Sequence, residues 1–329
     1  MAFKLGNTGI KEWLLLDIPL IRYFYARLRN RNLWRTMQVE KWVRKSMDFL
    51  SKYEVNDFTF RQKRAYVVTK AECELIYVPG RPYTALGLEL NGNEFETGEL
   101  EVLLSLVAYA KSAVLDIGAN CGYYSIAIAK KYPNVRIHAF EPIPETFESL
   151  EHNLRHNKVA ERVKCNKIAI GEKKGAVTMT STLNTGNYVI PGESSKCPRK
   201  TITATMTTVD EYVSRLNLPL IDGIKCDIEG AELFMLRGAS MCLNRDHPWL
   251  LLEIEERWTR RQGYMPGEVF VYLQQKGYSG FLITRSDVRL IPITSLEIGS
   301  KEGNNYLFID GRFSSSEMLT IIKNLTKRE

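Results

Sequence analysis

The sequence predicts a doubly wound α/β domain that closes with an antiparallel hairpin and follows a small β segment and a basic helical extension. Three observations carry this expectation. Ala113 to Ile117 is a short apolar strand that turns through Gly118 and Gly122 into a helix beginning at Tyr123, the opening of a nucleotide-binding βαβ unit. Strand and helix then alternate through five strands before two more at 278–284 and 305–310, the rhythm of a parallel sheet covered on both faces. Acids collect where these strands end, at Glu141, Asp227, Glu229, Glu253 and Glu255, the edge along which open α/β sheets bind ligands.

In chain order, residues 1–52 form a basic, Trp-containing extension. The net charge of +7 lies entirely here, in 11 basic and 4 acidic residues, while the remainder is balanced. From about Leu33 to Leu50, Val39, Trp42, Val43, Met47 and Leu50 follow helical spacing among Arg35, Lys41, Arg44 and Lys45. Two readings stand: a helix lying on an anionic membrane surface, or an extension packed on the domain or a second subunit with its basic face in solvent. The apolar run near Leu14 is cut by Asp17 and Pro19, too short to span a bilayer and without the cleavage site of a signal peptide. The expected location is cytoplasmic, with peripheral membrane contact through residues 1–52 on the first of these two readings. Nucleic acid is disfavoured as a partner, because a balanced domain offers no basic groove.

Residues 53–95 read as a β-rich lead-in, with strands at Tyr66–Thr69 and Glu74–Val78 and turns at Pro79-Gly80 and Asn91-Gly92. The main domain spans 96–310, and 311–329 is a polar tail. Six scattered cysteines form no C-x-x-C pair, which favours reduced thiols over a disulfide framework or a zinc site.

The organising turn reads Asp116-x-Gly118-x-Asn120-x-Gly122. Asn120 stands where a dinucleotide fold has its second glycine, and Asp116 repels phosphate; the pattern suits a ligand with positive charge and no pyrophosphate. S-adenosylmethionine, with its sulfonium, ammonium and adenosine, fits. Glu141 ends the second strand, Val135–Phe140, 23 positions past Gly118. An acid there can accept both ribose hydroxyls; its alternative is to favour the following helix N-terminus. Residues expected to bind the donor are Asp116, Gly118, Asn120, Gly122, Tyr123, Glu141 and Asp227.

A third strand is expected at Val163–Ile170, and an exposed strand follows at Thr201–Met206. The loop at 184–195 either covers the site or touches an acceptor, or is an ordinary surface connection. Strands at Ile224–Ile228 and Trp249–Glu255 end in acids, so Asp227 or Glu229 is the expected base, with Glu253 or Glu255 assisting. The alternative for Glu229 is to hold the donor's methionine portion or cap the helix starting at Ala231. His138, His152, His156 and His247 occupy structural or exposed positions. No compact metal motif is present, so no metal is expected; the alternative is that the clustered acids hold a divalent cation that polarises the acceptor.

Asp116-Ile117-Gly118-Ala119-Asn120-Cys121-Gly122-Tyr123-Tyr124-Ser125 resembles the first motif of the FkbM family of S-adenosylmethionine-dependent methyltransferases. Phe140-Glu141-Pro142-Ile143-Pro144 resembles the next, with Asn153 and Asn157 behind it. Thr208-Val209-Asp210-Glu211, Lys225 to Glu232, Leu252 to Glu255 and Asn305 to Phe308 are similar to its later motifs. Cys121 departs from the family's usual small apolar residue, and residues 1–52 lie outside the likeness. The resemblance implies a class I, Rossmann-like methyltransferase fold, S-adenosylmethionine as cofactor, and O-methylation of a sugar, glycolipid or related natural-product hydroxyl. An RNA ribose methyltransferase and a non-catalytic membrane-associated module remain as alternatives. A nicotinamide oxidoreductase is disfavoured by Asn120.

Overall fold

The computed structural model describes residues 2–4, 57–61, 64–69, 71–77, 97–181, 186–191, 200–284, 289–293 and 303–311, with 316, 320 and 321. The expected basic helix at 33–50, the turns at 79–80 and 91–92, Cys197 and most of the polar tail lie outside the described residues.

Ala2–Lys4 (β1), Asp57–Arg61 (β2), Arg64–Val68 (β3) and Glu74–Tyr77 (β4) form an antiparallel sheet in that order. β1 thus places a strand within a segment expected to be helical, because its three residues pair with β2. Helix Thr97–Val107 (α1) leads into Ala113–Ile117 (β5), Tyr123–Lys131 (α2), Arg136–Phe140 (β6), Pro144–His156 (α3) and Val163–Asn166 (β7). Ala169–Ile170 (β8), Gly175–Thr180 (β9) and Thr201–Thr207 (β10) make a separate three-stranded sheet. Then come Val209–Arg215 (α4), Ile221–Cys226 (β11), Glu232–Arg237 (α5), Ser240–Asp246 (α6), Trp249–Glu253 (β12), Glu256–Arg261 (α7), Pro266–Gln275 (α8), Tyr278–Ile283 (β13), Leu290–Ile293 (β14) and Asn305–Asp310 (β15).

The main sheet has eight strands in the order β14-β13-β15-β12-β11-β5-β6-β7. β7, β6, β5, β11 and β12 run parallel, and β15 enters antiparallel between β12 and β13. This is the class I methyltransferase arrangement. The chain leaves β5 in one direction and returns at β11 on its other side, so the two strand ends flank a topological switch point. β5 is buried on both faces, and its apolar run Ala-Val-Leu-Asp-Ile is the composition a doubly covered central strand requires. Leu103, Ile126, Ile128, Leu150 and Leu154 from α1, α2 and α3 pack one face. Tyr212, Leu236, Leu243 and Phe270 from α4, α5, α6 and α8 pack the other.

The strand expected at Val163–Ile170 divides, since β7 joins the main sheet while β8 pairs with β10. β11 begins and ends earlier than expected. The chain leaves the sheet after Cys226, and Glu229 and Gly230 adopt φ of 53° and 94°, which no strand can contain. Asp227 and Glu229 therefore sit in the loop beyond the strand. β12 likewise stops at Glu253, and Glu255 occupies the position before α7.

Candidate active site

The glycine turn is shaped by left-handed backbone. Gly118, Asn120 and Gly122 have φ of 81°, 49° and 93°, a region glycine enters freely and other residues seldom do. A Cβ on Gly118 would lie 1.9 Å from the Asp227 carbonyl oxygen. The turn after β5 and the loop after β11 are thus in backbone contact across the switch point.

Asp116 lies beneath this turn, fully buried. Its Oδ2 accepts from Ser125 Oγ at 2.6 Å, and burial pushes its carboxyl above the usual range. Asp116 Oδ1 and Asn120 Oδ1 are buried with no hydrogen-bond partner among the described residues. Glu141 ends β6 and is also buried. Its Oε2 accepts the Asn120 N–H at 3.1 Å and its Oε1 the Ile143 N–H at 2.9 Å. Burial still pushes its carboxyl up to about 7. Each carboxylate oxygen has a second lone pair, so Glu141 ties the turn to the start of α3 and retains capacity for a ribose diol. Tyr123 is buried, its ring tilted against Tyr124 at 5.3 Å between centroids; its side chain belongs to the core. Gly122 seats α2 against α3, where a Cβ would meet Leu150 Cδ1 at 2.6 Å.

Across the switch point, Lys225 is buried, with Nζ 3.3 Å from Asp227 Oδ2 and 4.6 Å from the Tyr124 ring centroid. Its charge offsets part of the acidity around it. Glu99, in the first turn of α1, is pushed by burial up to about 7 against the pull of Lys225. Glu229 rises to about 8 through burial first, then the charges of Asp227 and Glu255. Glu253 is pushed well above the usual range by burial and by Asp227. Asn304 Nδ2 donates to Glu253 Oε1 and Glu255 Oε1, each at 2.7 Å, holding the two carboxylates together.

The loop carrying Asp227 and Glu229 is clamped by Glu232. Its Oε1 accepts N–H bonds from Ile228 at 3.1 Å and Gly230 at 3.2 Å, while Tyr264 OH donates to the Gly230 carbonyl at 2.8 Å. The capping alternative considered for Glu229 therefore falls to Glu232, which satisfies the backbone groups of the turn. Gly230 admits α7, since its Cβ would lie 2.6 Å from the Trp258 backbone carbonyl. Glu99, Glu232 and Asn304 were not singled out in the sequence. Each is remote in sequence from the residue it serves or looks like an ordinary helix-start acid.

The assembled site is an acid-rich bed at the ends of β5, β11 and β12, with a hydrogen-bond acceptor at the end of β6. Two unpartnered buried acceptor atoms suit a ligand bearing cationic groups, and Glu141 suits its ribose. Among the described residues, no group of three or more His, Cys, Asp and Glu is arranged to hold a metal ion. The Methyltransferase FkbM domain model matches residues 116–279, from the acid of the glycine turn to the start of β13. The chain belongs to the FkbM family of S-adenosylmethionine-dependent methyltransferases.

This FkbM-family methyltransferase is 28% identical over 209 residues to methyltransferase sdnD of Sordaria araneosa, covering 54% of the chain and 77% of that protein. It is 37% identical over 67 residues to 31-O-demethyl-FK506 methyltransferase FkbM of Streptomyces tacrolimicus, covering 20% of the chain and 25% of that protein. The crystal structure of an FkbM methyltransferase from Methylobacillus flagellatus aligns with a TM-score of 0.40 at 16% identity, over 63% of this chain and 47% of that one. This FkbM-family chain thus matches less than half the length of that solved relative. The donor, when bound, would supply an activated sulfonium methyl; Asp116, the Gly118–Gly122 turn, Glu141 and Asp227 are the residues that could hold it.

Proposed function

We propose that this methyltransferase transfers its methyl group to a hydroxyl oxygen of a sugar, glycolipid or related natural-product acceptor, with Glu229 taking the hydroxyl proton. The carrying observation is Glu229 itself. It stands in the loop beyond β11, in backbone contact with the donor turn through Asp227, with a carboxyl raised to about 8. A base is most effective when its own value lies near the working pH. Glu253 assists by lying against Asp227, its own carboxyl held well above the usual range by burial and by that neighbour. The Streptomyces relative is a 31-O-demethyl-FK506 methyltransferase by name, which supports oxygen as the acceptor atom. In-line placement of the hydroxyl against the methyl supplies the larger part of the rate, on the order of 7–11 kcal/mol at best.

The test is transfer of labelled methyl from S-adenosylmethionine into glycan, nucleic-acid and protein fractions of a cell extract, with Glu141→Ala as the donor-site control. Alkali-stable label in the glycan fraction, absent from the control, is expected. Glu229→Gln should bind donor normally and lose turnover by about 10²–10⁴-fold. Full turnover in that variant removes Glu229 as the base, and label confined to nucleic acid overturns the acceptor class.

A further inference from the structure

Beside Glu229 lies a group of side chains that donor binding does not use. Residues 186–191 pass over α7. A Cβ at Gly186 would lie 3.4 Å from Trp258 Cζ2 and 3.5 Å from Glu229 Oε1, so the indole and the carboxylate converge on one small space. Tyr188 packs on Trp258 with ring centroids 5.3 Å apart, and Gln262 Nε2 ties the segment down by donating to the Val189 carbonyl at 2.7 Å. Two guanidinium groups stand on these rings. Arg257 lies 4.8 Å from the Trp258 centroid and is ion-paired with Glu255. Arg261 lies 4.2 Å from the Tyr188 centroid and 5.0 Å from that of Trp258. It is exposed, and it pairs with no carboxylate among the described residues.

A guanidinium held against two aromatic faces has lost much of its rotational freedom before any ligand arrives, and its planar fork matches a carboxylate or phosphate. The surroundings make such a cation necessary for one class of acceptor. An anion approaching the Asp227 and Glu255 carboxylates is repelled, and Lys225 and Arg257 already have acidic partners.

Resting on hydroxyl methylation at Glu229, we infer that the acceptor carries a carboxylate or phosphate that Arg261 holds at the rim, one indole ring from the hydroxyl that receives the methyl group. Arg261 is then a specificity-determining residue. It binds the anionic group, keeps it away from the acid bed, and fixes which hydroxyl of a polyhydroxylated acceptor faces Glu229.

The experiment uses the full chain with S-adenosylhomocysteine for binding and S-adenosylmethionine for turnover. Probes come in matched pairs: galacturonate with its methyl ester, 3-hydroxybenzoate with its methyl ester, and glucose 6-phosphate with glucose. The expected result is preference for the anionic member of at least one pair, the carboxylate and phosphate arms distinguishing the two anions. Arg261→Gln should raise the KM of that member by about 10–100-fold, with kcat and donor affinity little changed, and Arg261→Lys should recover part of the loss. No preference for the anion in any pair, including binding of neither member, overturns the inference, as does a preference that survives Arg261→Gln. Methylation of hydroxyls on the neutral members alone overturns the role of Arg261 and leaves hydroxyl methylation standing. Transfer to the carboxylate oxygen, seen as alkali-labile label, overturns hydroxyl methylation instead.

Discussion

Donor binding should be coupled to loss of a proton from Glu141. Its carboxyl is raised from the ordinary 4.5 to about 7, chiefly by burial and despite two backbone N–H bonds. Below pH 4.5 the folded and unfolded chains both hold this proton. Between 4.5 and 7 the unfolded chain releases it and the folded chain keeps it, so stability falls as pH rises. The shift corresponds to roughly 3 kcal/mol, lost fully once the folded group ionises. A ribose diol donating to Glu141 favours the carboxylate, and so does a cationic donor nearby. At pH 6 only about a tenth of the groups are ionised beforehand, so binding must expel most of a proton and affinity falls about tenfold below its value at pH 8. Glu141→Gln removes the charged acceptor at every pH. At pH 8 the variant should bind S-adenosylmethionine about 10–100-fold more weakly, the worth of a charged hydrogen bond, and at pH 6 the gap should shrink towards a few-fold. Titration calorimetry in two buffers of different ionisation enthalpy measures both affinity and proton release. An equal gap at both pH values, or unchanged proton release in the variant, would refute the coupling.

Other perturbations test the scaffold around the site. Gly118→Ala places a Cβ where the Asp227 carbonyl stands and forces φ of 81° on an L-residue; a cost of at least about 1–2 kcal/mol is expected, seen as a lower melting temperature and a smaller donor-induced rise. Glu232→Ala frees the N–H groups of Ile228 and Gly230. At about 1–3 kcal/mol per group left unsatisfied, the melting temperature should drop by several degrees and turnover should fall further than donor affinity. Asn153→Ala removes the bond to the Ile76 N–H at 2.8 Å and the bond from its own amide to the Cys121 carbonyl at 2.8 Å; hydrogen exchange at Ile76 should speed up selectively, and an unchanged rate would show that β4 is held by other contacts. Residues 1–52, with 11 basic and 4 acidic side chains, should sediment the protein with anionic but not zwitterionic vesicles, an effect lost at high salt and on deletion of the segment.

What could be read in advance depended on how local the cause was. β5 is a run of apolar residues broken by one acid and followed by glycines, and each feature reports a constraint within a few residues: burial on two faces, a left-handed turn, a close backbone approach. That combination located the switch point without the rest of the chain. Glu141 was legible for a similar reason, because its distance from Gly118 is set by the length of one helix and one strand. The loop beyond β11 was harder. Asp227 and Glu229 read as the tip of a strand because Ile224, Cys226 and Ile228 alternate as strand residues do, yet the chain leaves the sheet at Cys226. What bends it is Glu232, which gathers the N–H groups of Ile228 and Gly230 from further along the chain. Pattern alone counts Glu232 as one more helix-start acid. The same limit hid Glu99 and Asn304, which reach the site from α1 and from the segment before β15 and owe their roles to packing between distant segments. Asn153 and Asn157 show the intermediate case. Their resemblance to a family motif flagged them, and only the structure supplies the reason. Asn153 joins the Cys121 carbonyl of the donor turn to the Ile76 N–H of β4, and Asn157 bonds both backbone groups of Glu74. An asparagine serves there because its side-chain amide donates to a carbonyl from Nδ2 while accepting from an N–H at Oδ1. The antiparallel sheet ahead of the domain is therefore stitched to the glycine turn itself, and a disturbance in β4 should be felt as a change in donor affinity.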